Sequence, residues 1–163
     1  MADRVVLSAQ RLDIKPYEYK AVLEVRELFA SGKLWHDREL ENLKPDGFNM
    51  NVPLCEGECG TTACIGGWMF LAMQRDHTNP CFLAAQYVNS HRSEALGPLF
   101  FPFTDLNGQT LLDDDGEDYD FPFELMPPEF GLAAIDNFLA TGDPNWSAIA
   151  VTGKHWFDQV ANA

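Results

Sequence analysis

The chain has 163 residues, of which 46% are hydrophobic and twelve are Phe, enough material for one core and too apolar for a disordered chain. Its formal net charge of -14 is lopsided: residues 1–92 carry ten Lys or Arg against twelve Asp or Glu, whereas residues 93–153 carry twelve acids and no base. Nucleic-acid binding depends on Lys and Arg displacing counterions from phosphates, so the expectation is no direct contact with DNA, RNA or an anionic membrane.

Residues 1–8 lack the basic stretch, apolar core and cleavage site of a signal peptide, and no apolar run approaches the roughly 20 residues of a bilayer span. The expectation is a cytoplasmic protein whose four cysteines are reduced unless they bind metal or do chemistry. Val5, Val6 and Leu7 are compatible with a short strand or a turn. Residues 16–31 read as the first helix, with Pro16 in its first turn, apolar positions at Ala21, Val22, Val25, Leu28 and Phe29, and Gly32 as its stop. Residues 33–58 are irregular apart from one short alternating strand over 48–52. Residues 61–74 are apolar almost all round and predict a buried helix, in which Gly66 and Gly67 imply the close approach of another backbone.

Asn79 and Pro80 form a cap-and-proline start for a helix over 80–89, followed by a turn over 95–102. Residues 103–127 mix turn formers, acids and aromatics without a period, the pattern of a functional loop. Residues 128–141 read as another helix ended by Gly142, and the apolar tail from Asn145 onward is expected to dock on the core. The expected fold is mainly α: a single compact helical domain, residues 1–163, around the buried central helix, with at most a few short strands.

The most informative stretch is Cys59, Gly60, Thr61, Thr62, Ala63, Cys64, Ile65, Gly66, Gly67 and Trp68. It resembles a family of small bacterial and phage proteins with a Cys-Gly-Thr-x-x-Cys-Ile-Ala-Gly-Trp-like signature, Gly66 standing where that family carries Ala. Residues 134–146 resemble the closing helix, Thr-Gly turn and Trp of the same family. The resemblance spans about residues 48–146 and implies kinship without an activity, since no function is established for that family.

Several chemistries compete for these residues. A thiol at the head of the buried helix would be favoured as thiolate by the helix dipole, and papain-like peptidases also set a Cys-Gly step there. Cys59 is then the candidate nucleophile, His155 the base and Asp158 or Asn145 its orienting group, although no glutamine stands shortly before Cys59 for an oxyanion hole. The structural reading makes Thr61 a helix cap and Cys64 a small core residue. Cys55, Cys59, Cys64 and Cys81 are candidate metal ligands; the Cys55–Cys59 spacing suits zinc, but the next would set Cys64 on the opposite side of a helix turn, in an apolar run, so no metal is favoured. No phosphate loop, dinucleotide fingerprint or serine elbow is present, and no cofactor is expected.

The run Asp113, Asp114, Asp115, Gly116, Glu117, Asp118, Tyr119 and Asp120 lacks the closing Glu of an EF-hand loop and reads as a solvated acidic loop. With Asp105, Phe121, Phe123, Glu124 and Glu129 it makes a face of carboxylates and aromatics suited to a basic protein. The leading expectation is a non-catalytic accessory protein that binds a basic partner through Asp113–Phe121, as an inhibitor or nucleic-acid mimic of bacterial or phage type. A thiol hydrolase or acyl-transfer enzyme is the first alternative and a cysteine-ligated structural metal domain the second.

Overall fold

The structure, a computed structural model, describes residues 5–78, 83–105, 107–112, 115–117 and 123–149. After a one-turn helix α1 (Ala9–Leu12), capped where the Ser8 hydroxyl accepts the Arg11 N–H, comes α2 (Pro16–Ala30). Pro16 opens α2 because its missing N–H would be unpaired in a first turn anyway, and Gly32 at φ +73° turns the chain away after it. Val22, Val25 and Phe29 lie on the face that α2 buries.

Four short strands follow: β1 (Trp35–His36), β2 (Gly47–Phe48), β3 (Cys55–Gly57) and β4 (Gly60–Ala63). They form one sheet in the order β1-β2-β4-β3, with β1–β2 and β2–β4 parallel and β3–β4 an antiparallel hairpin. This corrects the mainly helical expectation: the fold is mixed α/β, with a four-stranded mixed sheet. Of the strand expected over 48–52 only Phe48 is in a strand, β2, and 49–52 are turn and loop; residues 61–63, expected in the buried helix, belong to β4. The β-branched Thr61 and Thr62 favour that extended stretch, and strands of two to four residues carry no readable period.

The central helix α3 (Ile65–Arg75) starts after the sheet and packs against α2, α4 (Ala84–Asn89), α5 (Gly97–Phe100) and β4. Ile65, Trp68, Met69, Phe70, Ala72 and Met73 are all buried, so this helix does sit at the centre. The paired glycines are there for contact: a Cβ on Gly67 would overlap the Pro53 carbonyl, and one on Gly66 would press on Val88 and the Phe100 ring. The helix expected over 80–89 begins at Ala84, while Asn79–Phe82 lie outside the described residues. A 3-10 turn (Phe123–Leu125) leads to α6 (Pro128–Thr141), which packs on α2 and ends at Gly142, φ +84°, as its spacing predicted. From the tail, Trp146 and Ile149 are buried, and the Trp146 indole donates to the Pro98 carbonyl at 2.8 Å.

Candidate functional site

The Cys-Gly-Thr motif is divided between a hairpin and a helix. Cys59 is exposed in the turn joining β3 to β4, six residues before the first helical residue, Ile65. The dipole argument for a Cys59 thiolate is therefore corrected, because a helix terminus acts over its own first turn. Cys64 holds that place: it is the N-cap of α3, and its Sγ accepts the Gly67 N–H at 3.4 Å. Complete burial outweighs the cap and pushes its thiol up to about 11, so Cys64 is a protonated core residue rather than a nucleophile. Thr61, the expected cap, lies in β4.

An open cavity of about 460 Å³ borders Cys59, walled by Trp68 and carrying Asp46, Glu56, Glu58 and Arg75. His155 and Asp158 lie outside the described residues; Asn145 is described, and its N–H donates to Asp143 Oδ1. Of the candidate metal ligands, Cys55 is half-buried on β3 opposite Thr62, Cys59 is exposed and Cys64 is buried in its cap, while Cys81 lies outside the described residues. Among the described residues no group of three His, Cys, Asp or Glu is arranged to hold a metal ion.

Other residues of the motif tie loops to the sheet. The Cys64 N–H donates to the Val52 carbonyl at 2.7 Å and the Trp68 indole to the Gly47 carbonyl at 3.0 Å. The buried Thr62 hydroxyl donates to Asp37 Oδ2 at 2.6 Å, while Asp37 Oδ1 accepts the Leu40 N–H. Asn49 Nδ2 donates to the Asp37 carbonyl, which closes a polar knot between β1, β2 and β4. A buried carboxylate is retained only where such donors compensate its lost hydration.

Two histidines, His36 and His91, find partners in the fold. His36 Nε2 lies 2.7 Å from the Glu124 carbonyl, and burial holds its pKa below the ordinary value. His91 is buried with its Nε2 2.8 Å from Glu18 Oε2 and its Nδ1 2.8 Å from the Tyr87 carbonyl. The Tyr87 hydroxyl donates to the same Glu18 oxygen at 2.7 Å. His91 Nδ1 also lies 3.0 Å from the Ser90 hydroxyl, and the imidazolium can donate from one ring nitrogen to Glu18 and from the other to the Tyr87 carbonyl. Burial opposes charge on both partners, but the His91 and Tyr87 hydrogen bonds outweigh it and hold Glu18 below its usual range, while the bond to Glu18 raises His91. No sequence pattern links residues 73 positions apart, so this cluster was missed.

In the base-free segment, Glu94, Asp115, Glu117, Glu129 and Asp143 are exposed, whereas Asp136 is taken by Arg26 at 2.7 Å. Leu111 and Leu112, directly before Asp113, are 38% and 59% exposed. Asp113, Asp114, Asp118, Tyr119, Asp120 and Phe121 lie outside the described residues. No helix among the described residues is long and apolar enough to cross a membrane. Comparison with protein-family models, curated proteins and solved structures gave no match.

Proposed function

We propose that this protein is a non-catalytic accessory protein that binds a basic protein through the carboxylate-rich segment beginning at Ser93, as an inhibitor or nucleic-acid mimic. The observation that carries the reading is the run of twelve acids without a base over residues 93–153. Leu111 and Leu112, exposed and directly before Asp113 in the chain, add apolar area next to that run. Kinship with the bacterial and phage family of the Cys-Gly-Thr motif belongs to the same proposal.

The test starts from partners retained on the immobilised protein at low salt. The purified partner is then titrated with the wild type and with the Asp113→Asn, Asp114→Asn, Asp115→Asn triple variant. Exposed charges contribute roughly 0.2–1 kcal/mol each, so the triple variant is expected to bind about threefold to a hundredfold more weakly. A partner that is not basic, or equal affinity for both proteins, overturns the reading.

A further inference from the structure

Where α4 and α5 meet the loop after β2 there is a cavity of about 380 Å³, walled by Met50, Val88, Phe100, Phe101, Phe103 and Phe123. Arg92 stands on its border. The Arg92 guanidinium lies over the Phe101 ring, 4.1 Å from the centroid, and one of its nitrogens donates to Asn89 Oδ1 at 3.2 Å. Among the described residues no carboxylate pairs with it, although the twelve acids of residues 93–153 begin just after it in the chain.

That combination defines a ligand. A guanidinium carries five N–H donors and favours a carboxylate bound through two of them, and stacking on an aromatic ring holds its plane in place. The aromatic part of the lining favours a flat apolar body, with Asn51, Asn89, Thr104 and Thr110 adding polar wall beside it, and a volume near the low end of the roughly 300–1,000 Å³ of small-molecule pockets suits about two fused rings. A cationic ligand would meet Arg92 at the border, and a polyanion would meet the repulsion of a chain at net charge -14. Cys64 also lines the cavity, and as a buried, protonated thiol it contributes an apolar wall.

We propose that this cavity is a binding site for an aromatic monocarboxylate, its rings among Phe100, Phe101, Phe103 and Phe123 and its carboxylate on Arg92. The inference does not rest on the basic-partner reading, and either can fail without the other.

The experiment titrates the full chain with 2-naphthoate and with its neutral analogue 2-naphthalenemethanol, by calorimetry and by methionine-methyl NMR with the Met50 signal assigned through Met50→Leu. Expected are saturable naphthoate binding that shifts the Met50 methyl and an alcohol at least about tenfold weaker, the scale of one charge-assisted hydrogen bond. Arg92→Gln is expected to bring naphthoate down to the level of the alcohol, and Arg92→Lys to restore part of the difference. Arg92 is exposed, so both variants retain the fold, which their melting temperatures check. No saturable binding of naphthoate up to about 10 mM, equal binding of acid and alcohol, an unmoved Met50 signal, or an Arg92→Gln variant that binds like the wild type would each overturn the proposal.

Discussion

Residues 5–92 and residues 93–149 solve opposite electrostatic problems. The first region nearly balances its charges and takes several polar groups inside, where Glu18, Asp37, Asn49, Thr62 and His91 are all buried and hydrogen-bonded. The second has no base of its own, buries Leu99, Phe100, Ile135, Phe138 and Leu139 in the common core, and leaves Glu94, Asp115, Glu117, Glu129 and Asp143 in water. The charge that the first region buries is structural, because Glu18, Asp37 and His91 are desolvated and held by hydrogen bonds. The second region has no base in its own segment, and its described ion pairs reach back to the first: Asp136 to Arg26 and Glu94 to His91.

The contrast predicts where substitutions hurt. The largest loss is expected at the buried ion pair: Glu18→Ala strands His91 and the Tyr87 hydroxyl and is expected to cost about 3–5 kcal/mol, read from the denaturant midpoint. Next comes Gly67→Ala, where the new Cβ meets the Pro53 carbonyl and the shift it forces costs about 1–3 kcal/mol in the same assay.

The Glu18–His91 pair also gives stability a pH signature. Glu18 is lowered from 4.5, so its contribution is present above that value and lost as pH falls through its folded pKa. His91 is raised from 6.5, so its contribution is full below that value and lost as pH rises through its folded pKa. Stability from the pair is expected to peak between 4.5 and 6.5, and His91→Gln is expected to flatten the alkaline side of a melting-temperature profile. A profile with the same alkaline slope in the variant would place that slope on other groups.

The smallest effect on stability is expected from the Asp113→Asn, Asp114→Asn, Asp115→Asn triple substitution, within about 0.5 kcal/mol of wild type, on the sequence reading of the run as a solvated acidic loop. Cysteine alkylation separates the two ends of the motif: Cys59 is expected to react in the native protein and Cys64 only after unfolding. Native labelling of Cys64 would contradict its place in the core.

Helices α2 and α6 were legible in the sequence almost to the residue, because Pro16 and Pro128 open them and Gly32 and Gly142 stop the chain beyond them. The sheet was not. Trp35–His36 pairs in parallel with Gly47–Phe48, and two-residue strands joined across a loop leave neither a period nor a hairpin signature. That omission produced the misplaced helix start, since Gly60–Ala63 runs straight into the apolar stretch of α3 and only Thr61 and Thr62 marked the change. The supposed environment of Cys59 followed from it. The packing role of Gly66 and Gly67 was readable because a glycine pair in an otherwise apolar helix has a steric cause. Glu18, Tyr87 and His91 were unreadable as a set, since their hydrogen bonds join α2 to α4 and to the turn after it across about seventy residues of chain.

The proposal that the base-free, acid-rich second region binds a basic protein is tested most directly by the salt dependence of affinity for the purified partner. The account predicts that affinity falls steadily between about 50 and 300 mM salt as the Debye length shortens, and that the Asp113→Asn, Asp114→Asn, Asp115→Asn protein has a shallower slope. Affinity independent of salt, or an identical slope for the two proteins, would contradict it.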